Sequence, residues 1–591
     1  MRVEQCCRLS CAITLHHAGP MRALLLLGGL LSAILAAAEG KADVEPIPRD
    51  ELPGPAQPED DPVAALGDGD ADRLRAGFAP AVIPAFVASL VDRIEAHHRE
   101  SLPAPVLAWL GARPTVRRDF WLALDPADDV VAAGVVLDGL VRQHAAACAR
   151  LPQLAIATAL VWDQPRLVVT GQRLAIWGVN YHQFPTPMGP DAVFARLAGA
   201  KQLAVDLATL PWPLLVHVVD HDLDAEDLEW AQRRYRLTPA KCEQLFFEVT
   251  YDDQKLYDRD PLLGARDYSL ANLLKYGGVC GDQAWFGSRI AKAQGLPSCI
   301  VLGLNSAGLA HAWHAYAFVS KKAKGWRLAT SGRYPGDRYY RGDVLDPQTG
   351  RIASDRDLAL VMAGATSDAA AFIEARALAR SAAKLRRSEP AWSRQLAEAA
   401  TRRSPYVAQA WRLLAGLASD GALVSEAALA CQQRLIAALP EHPDLDWECL
   451  QGFVTAHPAL AGRLHPDAFA RYLAAERPDL QIEVRSAQAD ALIAAGAQAK
   501  AADLVNETCA AMGEEGLFVL PLIERSVEIA LARRAADPRF AFAKTQRALA
   551  NAESGFPTVR FRKTTPAYQR YLDVVERLYA PGWAAKHWHP P

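Results

Sequence analysis

The sequence predicts an α+β chain whose strand-bearing centre, residues 155–356, lies between helical stretches at 73–154 and 357–591. Three observations carry this reading. Apolar residues recur at three-to-four spacing in "PAFVASLVDRIEAHH" (Pro84–His98) and "DDVVAAGVVLDGLVRQHAAACARL" (Asp128–Leu151), the period of an amphipathic helix. "CIVLGL", "HAWHAYAFVS" and "GWRLATSGRY" are dense in β-branched and aromatic residues, and "KKAKG" joins the last two as a hairpin turn would. After about Asp357 such runs cease, and Ala-rich amphipathic segments continue to the C-terminus.

With 591 residues the chain exceeds one hydrophobic core, so about three folded units are expected. A composition of 51% hydrophobic and 22% charged residues is that of a globular protein. The formal net charge of −3 argues against a polyanionic partner such as nucleic acid. "KLRRS" (Lys384–Ser388) falls on a helical pattern and reads as a solvated face.

"MRALLLLGGLLSAILAAAEG", from Met21, has one basic residue, an apolar run and the small residues Ala36, Ala37 and Ala38. That is the pattern of a secretory signal peptide spanning Met21 to about Ala38. The apolar run from Ala23 to Ala38 is 16 residues, short of the roughly 20 that cross a bilayer. Export to the periplasm, cell envelope or medium is expected, with an uncleaved anchor as the alternative. Residues 1–20 carry three cysteines and no targeting logic, so 1–38 reads as an upstream extension plus signal peptide, with Met21 as the start. No later segment is apolar enough to span a membrane. Residues 39–72, rich in Pro, Gly and acid, read as a flexible spacer.

Within the helical stretch that follows, Asp128 and Asp129 are placed to cap the second helix. In the centre, "AIATALVWDQP" (Ala155–Pro165), "RLAIWGVNYHQF" (Arg173–Phe184) and "LLVHVVD" (Leu214–Asp220) read as short strands or buried segments. "DAEDLEWAQRRYRL" reads as a helix capped by Asp224, and "QLFFEVTYDD" (Gln244–Asp253) as a strand. Toward the C-terminus, Pro405 and Pro440 flank two helices, and "AQADALIAAGAQAKAADLVNETCAAM" repeats the helix, Gly turn and helix idea. Both stretches resemble tetratricopeptide-type helical hairpins, an irregular helical array being the alternative. Either would serve as a surface for a protein partner.

After cleavage at Ala38 seven cysteines remain, and an odd number in an exported protein leaves a thiol unpaired. Cys431 and Cys449 are close enough in sequence to pair. Cys299 opens a buried strand as an inert core thiol. Cys280 is the candidate for chemistry. In "GGVCGDQAWFGSRIAKAQGLP", Gly277 and Gly278 allow a tight turn and the pattern becomes helical from Cys280, until Gly295 and Pro297 end it. A cysteine in the first turn meets free N–H groups and the positive end of the helix dipole, which favour thiolate and could hold an oxyanion. A base is offered 31 residues later in "HAWHAYAF" by His311, with His314 as its rival. Three positions apart on a strand, the two imidazoles point to opposite faces, so only one can reach Cys280 and a shared metal site is disfavoured.

Gly-Gly-Val-Cys, Asp282 and Ala284 within the helix, "AQGLPS", a strand, His-Ala-Trp and a Gly-Trp strand together resemble the transglutaminase-like superfamily, over about Tyr268 to Gly350. The resemblance implies a papain-like core, in which a helix carrying Cys packs on a sheet carrying His. It also implies acyl transfer by Cys280 and His311, His311 being the histidine before Ala312 and Trp313. The family's third member, usually Asp, is expected about four residues after Trp326. Here Thr330 and Ser331 occupy that stretch. A hydroxyl can orient the imidazole but cannot stabilise imidazolium as a carboxylate does. Asp337, Asp343 and Asp346 come later, and Asp346 before Pro347 reads as a turn residue in the surface loop "YYRGDVLDPQTG".

The remaining candidates are few. Trp285, Phe286, Trp313 and Trp230 read as core, or as walls of a substrate groove, and "KHWH" (Lys586–His589) as a frayed tail or an adventitious metal ligand. No metal or organic cofactor is implied. The functional expectation is an exported hydrolase of peptide or protein amides working through a thioester, with amine-acceptor crosslinking as its variant. The alternative is an inactive Cys–His core serving as a binding scaffold.

Overall fold

A computed structural model describes residues 83–165, 168, 173, 176, 182–256, 261–320, 325–536, 545, 546, 549 and 566–579. The expected signal peptide, the 39–72 spacer, most of "RLAIWGVNYHQF" and the "KHWH" tail lie outside these residues. The described chain is mainly helical with one antiparallel sheet, an α+β arrangement.

The first helices, α1 (Ile83–His98), α2 (Pro114–Ala123) and α3 (Val130–Gln143), follow the expected pattern. Asp129 caps α3, accepting from the Ala132 N–H at 2.9 Å. Asp128 turns inward instead and takes Gln348 Nε2 at 2.8 Å. Three segments read as strands or buried runs are helices: α4 (Pro152–Trp162), α5 (Trp212–Val219) and α7 (Pro239–Glu248), with α6 (Ala225–Arg234) between the last two. Every α4 residue from Leu154 to Trp162 is buried, as is every residue of α5. A helix enclosed on all sides has no polar face, so its sequence loses the 3.6-residue period that identifies it. The α7 helix instead carries start signals, the Thr238 side chain capping its first turn ahead of Pro239. Asp224 caps α6 as expected, at 2.8 Å from the Asp227 N–H.

After α8 (Leu270–Tyr276) and α9 (Cys280–Ala293) come β1 (Ser298–Leu304), β2 (Ala310–Ser320), β3 (Gly325–Ser331), β4 (Asp343–Leu345) and β5 (Ile352–Ser354). The sheet order is β3-β2-β1-β4-β5, antiparallel throughout. The expected β2–β3 hairpin is present, pairing Ser320 with Gly325 and His314 with Ser331. The segment expected as a surface loop supplies β4, whose Val344 is buried.

The α9 helix packs on β2 and β1, and α7 packs on α9 and β3. At Gly287 of α9 the His314 ring of β2 lies close: a methyl group there would be 2.6 Å from its Nδ1. Gly287→Ala should therefore lower the unfolding free energy by about 1–3 kcal/mol in urea denaturation, the usual cost of forcing volume into a packed core. On the other side of β2, Trp313 covers Gly303 of β1 and Gly342 before β4.

Helices α10 (Asp355–Ser367), α11 (Ala369–Leu385), α12 (Pro390–Arg403), α13 (Ala408–Ser419), α14 (Ser425–Ala438) and α15 (Pro443–Ala456) continue the chain. They are followed by α16 (Ala461–Ala474), α17 (Pro478–Ala494), α18 (Gln498–Met512), α19 (Leu520–Ala536) and α20 (Pro566–Tyr579), each packed mainly on its neighbours in sequence. One hydrophobic core runs from Ile83 to Phe453, across both expected boundaries at 154/155 and 356/357. Two smaller clusters hold the later helices. Among the described residues no helix is long and apolar enough to cross a membrane.

Candidate functional site around Cys280 and His311

The turn before α9 is built for close approach. Gly277 has φ 90°, a region open mainly to glycine, and its Cα faces the Thr250 carbonyl. Gly278 exchanges backbone bonds with Thr250 and Asp252, each at 3.0 Å. A Cβ on Gly278 would meet Asp282 at 2.5 Å. With that space clear, Asp282 folds back and accepts the Val279 N–H at 2.7 Å, capping the helix that Cys280 opens.

Asp282 is wholly buried. Lys255 Nζ lies 2.8 Å from both of its oxygens, and Tyr268 donates its hydroxyl at 2.5 Å. Lys255 also donates to His182 Nε2 at 2.9 Å. This cluster was not found from the sequence. Its members lie 14, 27 and 100 positions upstream of Asp282, and no short motif links them.

Cys280 is partly exposed at the tip of α9. The backbone amides of Ala312, Gly281 and Cys280 favour its thiolate. Desolvation acts the other way and is larger, and the Asp282 charge adds to it, so the thiol titrates above its ordinary value. The expected thiolate at the helix N-terminus is thus not the resting form. The remaining cysteines among the described residues are buried free thiols, Cys431 and Cys449 among them. Burial pushes Cys299 up to about 12, which suits an inert core group.

His311 is 3% exposed. Its Nε2 lies 2.7 Å from the Gly332 carbonyl oxygen. A carbonyl can only accept, so Nε2 carries the hydrogen and the neutral ring keeps its lone pair on Nδ1. Nδ1 is buried without a hydrogen-bond partner, so an imidazole–thiol hydrogen bond is not made in this structure. Burial depresses the ring to about 4, the Gly332 carbonyl offsetting only part of this. Tyr334 stacks on the ring at 5.1 Å between centroids, and Tyr339 and Phe246 lie at 5.3 and 5.9 Å.

The other residues named from the sequence lie elsewhere. His314 faces α9, has no partner on either nitrogen and is depressed to about 3 by burial; it is a core residue. Ser331 donates its hydroxyl to the Glu243 carbonyl at 2.6 Å, and Thr330 sits opposite Ala315 in the hairpin. Neither touches a His311 ring nitrogen, and the orienting acceptor is the backbone of Gly332 instead. Asp346 closes the turn after β4, accepting from the Gln348 and Thr349 N–H groups at 2.9 and 3.2 Å. Trp285 and Trp313 are enclosed in the core, where Trp285 Nε1 reaches Asp222 at 3.2 Å, and neither offers a face to a ligand. Among the described residues no group of three His, Cys, Asp or Glu side chains is arranged to hold a metal ion.

Behind the site, the buried half of α9 carries two cations. Arg289 Nε pairs with Asp222 at 2.8 Å, Lys292 Nζ pairs with Asp220, and Arg173 Nε also reaches Asp222 at 2.9 Å. Compared with protein-family models, curated proteins and solved structures, the chain matches none.

Proposed function

We propose that the chain is an exported, transglutaminase-like cysteine hydrolase of peptide or protein amides, with Cys280 as nucleophile and His311 as general base and acid. The observation that carries the reading is the His311 ring: its tautomer is set by Gly332, and its Nδ1 lone pair is uncommitted. A neutral imidazole and a protonated thiol make a resting state in which the proton moves only as the nucleophile attacks. Cys280 Sγ bonds to the amide carbonyl carbon while its proton passes to Nδ1. That proton then leaves with the amine, and water, activated by the same nitrogen, cleaves the thioester. The N–H groups in the first turn of α9 would receive the oxyanion. Support for a papain-like core comes from a cysteine-bearing helix packed on an antiparallel strand that carries both histidines, His314 being the one that faces the helix.

The test is iodoacetamide labelling of Cys280 across pH 5–10, read by mass spectrometry, in the parent and in His311→Ala. General-base assistance predicts that His311→Ala slows labelling at pH 7 by about tenfold or more. In the parent the assistance should persist from pH 8 down to about 5, because the ring stays neutral until the pH approaches about 4. Labelling that rises only above pH 8 and ignores His311 would replace this reading by the scaffold one. The scaffold reading draws on the raised Cys280 thiol and the absence of a carboxylate on His311.

A further inference from the structure

The two loops that hold His311 are both fastened by one turn of the C-terminal helical array. That turn, residues 513–518, joins α18 to α19. Its Leu517 N–H donates to the Ser306 carbonyl at 2.6 Å, in the β1–β2 turn just ahead of the His311 strand. Its acids grip the loop after β3, the loop that supplies the Gly332 carbonyl and the stacking ring of Tyr334. Tyr340 donates its hydroxyl to Glu515 Oε2 at 2.7 Å, and its ring meets Phe518 at 5.4 Å. Arg338 reaches Glu514 Oε2 at 2.5 Å and Glu515 Oε1 at 3.5 Å.

The gripped loop needs a fastening. Arg338 has φ 57° and ψ 46°, a left-handed conformation that is unfavourable for a residue with a Cβ unless its surroundings impose it. Within the loop, Arg333 Nε donates to the Tyr339 carbonyl at 2.8 Å, closing the stretch between them. Glu515 is buried although it is acidic, as expected of a residue with a fixed partner.

We propose that Glu515 and its turn are positioning elements of the Cys280–His311 site: by holding Tyr340 and Arg338 they fix where the Gly332 carbonyl meets the imidazole. The helical array is then part of the catalytic apparatus, and a ligand or substitution that moves residues 513–518 changes the chemistry at Cys280. This rests on the reading of His311 as the general base.

The experiment uses the full chain with Glu515→Leu and Glu515→Gln. Glutamine keeps an acceptor for the Tyr340 hydroxyl, and leucine does not. Three readouts are taken: hydrogen–deuterium exchange of peptide 332–341, the pH profile of Cys280 labelling by iodoacetamide, and the His311 tautomer by imidazole ¹⁵N NMR. Glu515→Leu is expected to speed exchange of that peptide, shift the labelling profile toward that of His311→Ala and mix the tautomers. Glu515→Gln should restore all three. A Glu515→Leu protein with parental labelling and tautomer overturns the proposal, whether or not the loop exchanges faster. If parental labelling is already indifferent to His311, the hydrolase reading fails on its own. The tautomer then decides whether the turn positions the ring. Should Glu515→Leu not fold, Tyr340→Phe removes the same hydrogen bond with the ring kept, and the same outcomes apply.

Discussion

Lys255→Met is expected to lower the unfolding free energy by about 3–5 kcal/mol, the usual cost of stripping a buried charge of its partner. Lys255 is the counter-ion of Asp282, and both lie in the interior. In the variant Asp282 would keep the Tyr268 hydroxyl and the Val279 N–H but no positive charge. A buried carboxylate in that position takes up a proton, so its folded pKa rises above the unfolded value near 4. A raised carboxyl pKa means stability that is present at low pH and lost as pH rises through the interval between the two values. Urea denaturation at pH 5 and pH 8 should therefore show the larger loss at pH 8. An equal loss at both would mean that Asp282 stays ionised with another partner. Once neutral, Asp282 no longer opposes the Cys280 thiolate, so labelling of Cys280 in the folded variant should begin at lower pH than in the parent.

The second large effect is expected at Asp222. This carboxylate has no exposed side-chain surface and receives Arg289, Arg173 and the Trp285 indole. Asp222→Leu leaves the guanidinium of Arg289 buried and should also cost about 3–5 kcal/mol. Adding Arg289→Met removes the charge that Asp222 balanced, and the double variant should recover much of the loss. The cycle of four proteins, followed by urea denaturation, measures the coupling directly. A double variant as unstable as the sum of the two singles would mean that Asp222 acts mainly through Arg173 and Trp285.

What the sequence made legible was local. The glycines ahead of Cys280, the caps at Asp129 and Asp224 and the hairpin of β2 and β3 are each written in a few adjacent residues, and each is present. The α4 and α5 segments went unread because burial on every side erases the periodicity that separates helix from strand. Thr238 and Pro239 at the head of α7 were a usable signal, outweighed by the aromatic pair Phe246 and Phe247. The Gly332 carbonyl had no signature at all, since a backbone acceptor is the same at every residue. The expectation of a side-chain third member pointed to Thr330 and Ser331, which hairpin register carries away from His311: Ser331 pairs with His314 and Thr330 with Ala315. The thiolate expectation weighed the helix dipole and the amide donors without the desolvation that only the packed structure reveals.

The charges on α9 have a bearing on how the protein is made. Asp282, Arg289 and Lys292 find their partners at Lys255, Tyr268, Asp222 and Asp220, all of them upstream in the chain. When this helix leaves the ribosome, these partners have already emerged, whereas β1 and β2, on which it packs, have not. His311, Gly332 and Glu515 emerge later, in that order. On this sequence of events the nascent chain acquires the Cys280 thiol before the His311 imidazole, and the Glu515 carboxylate comes last.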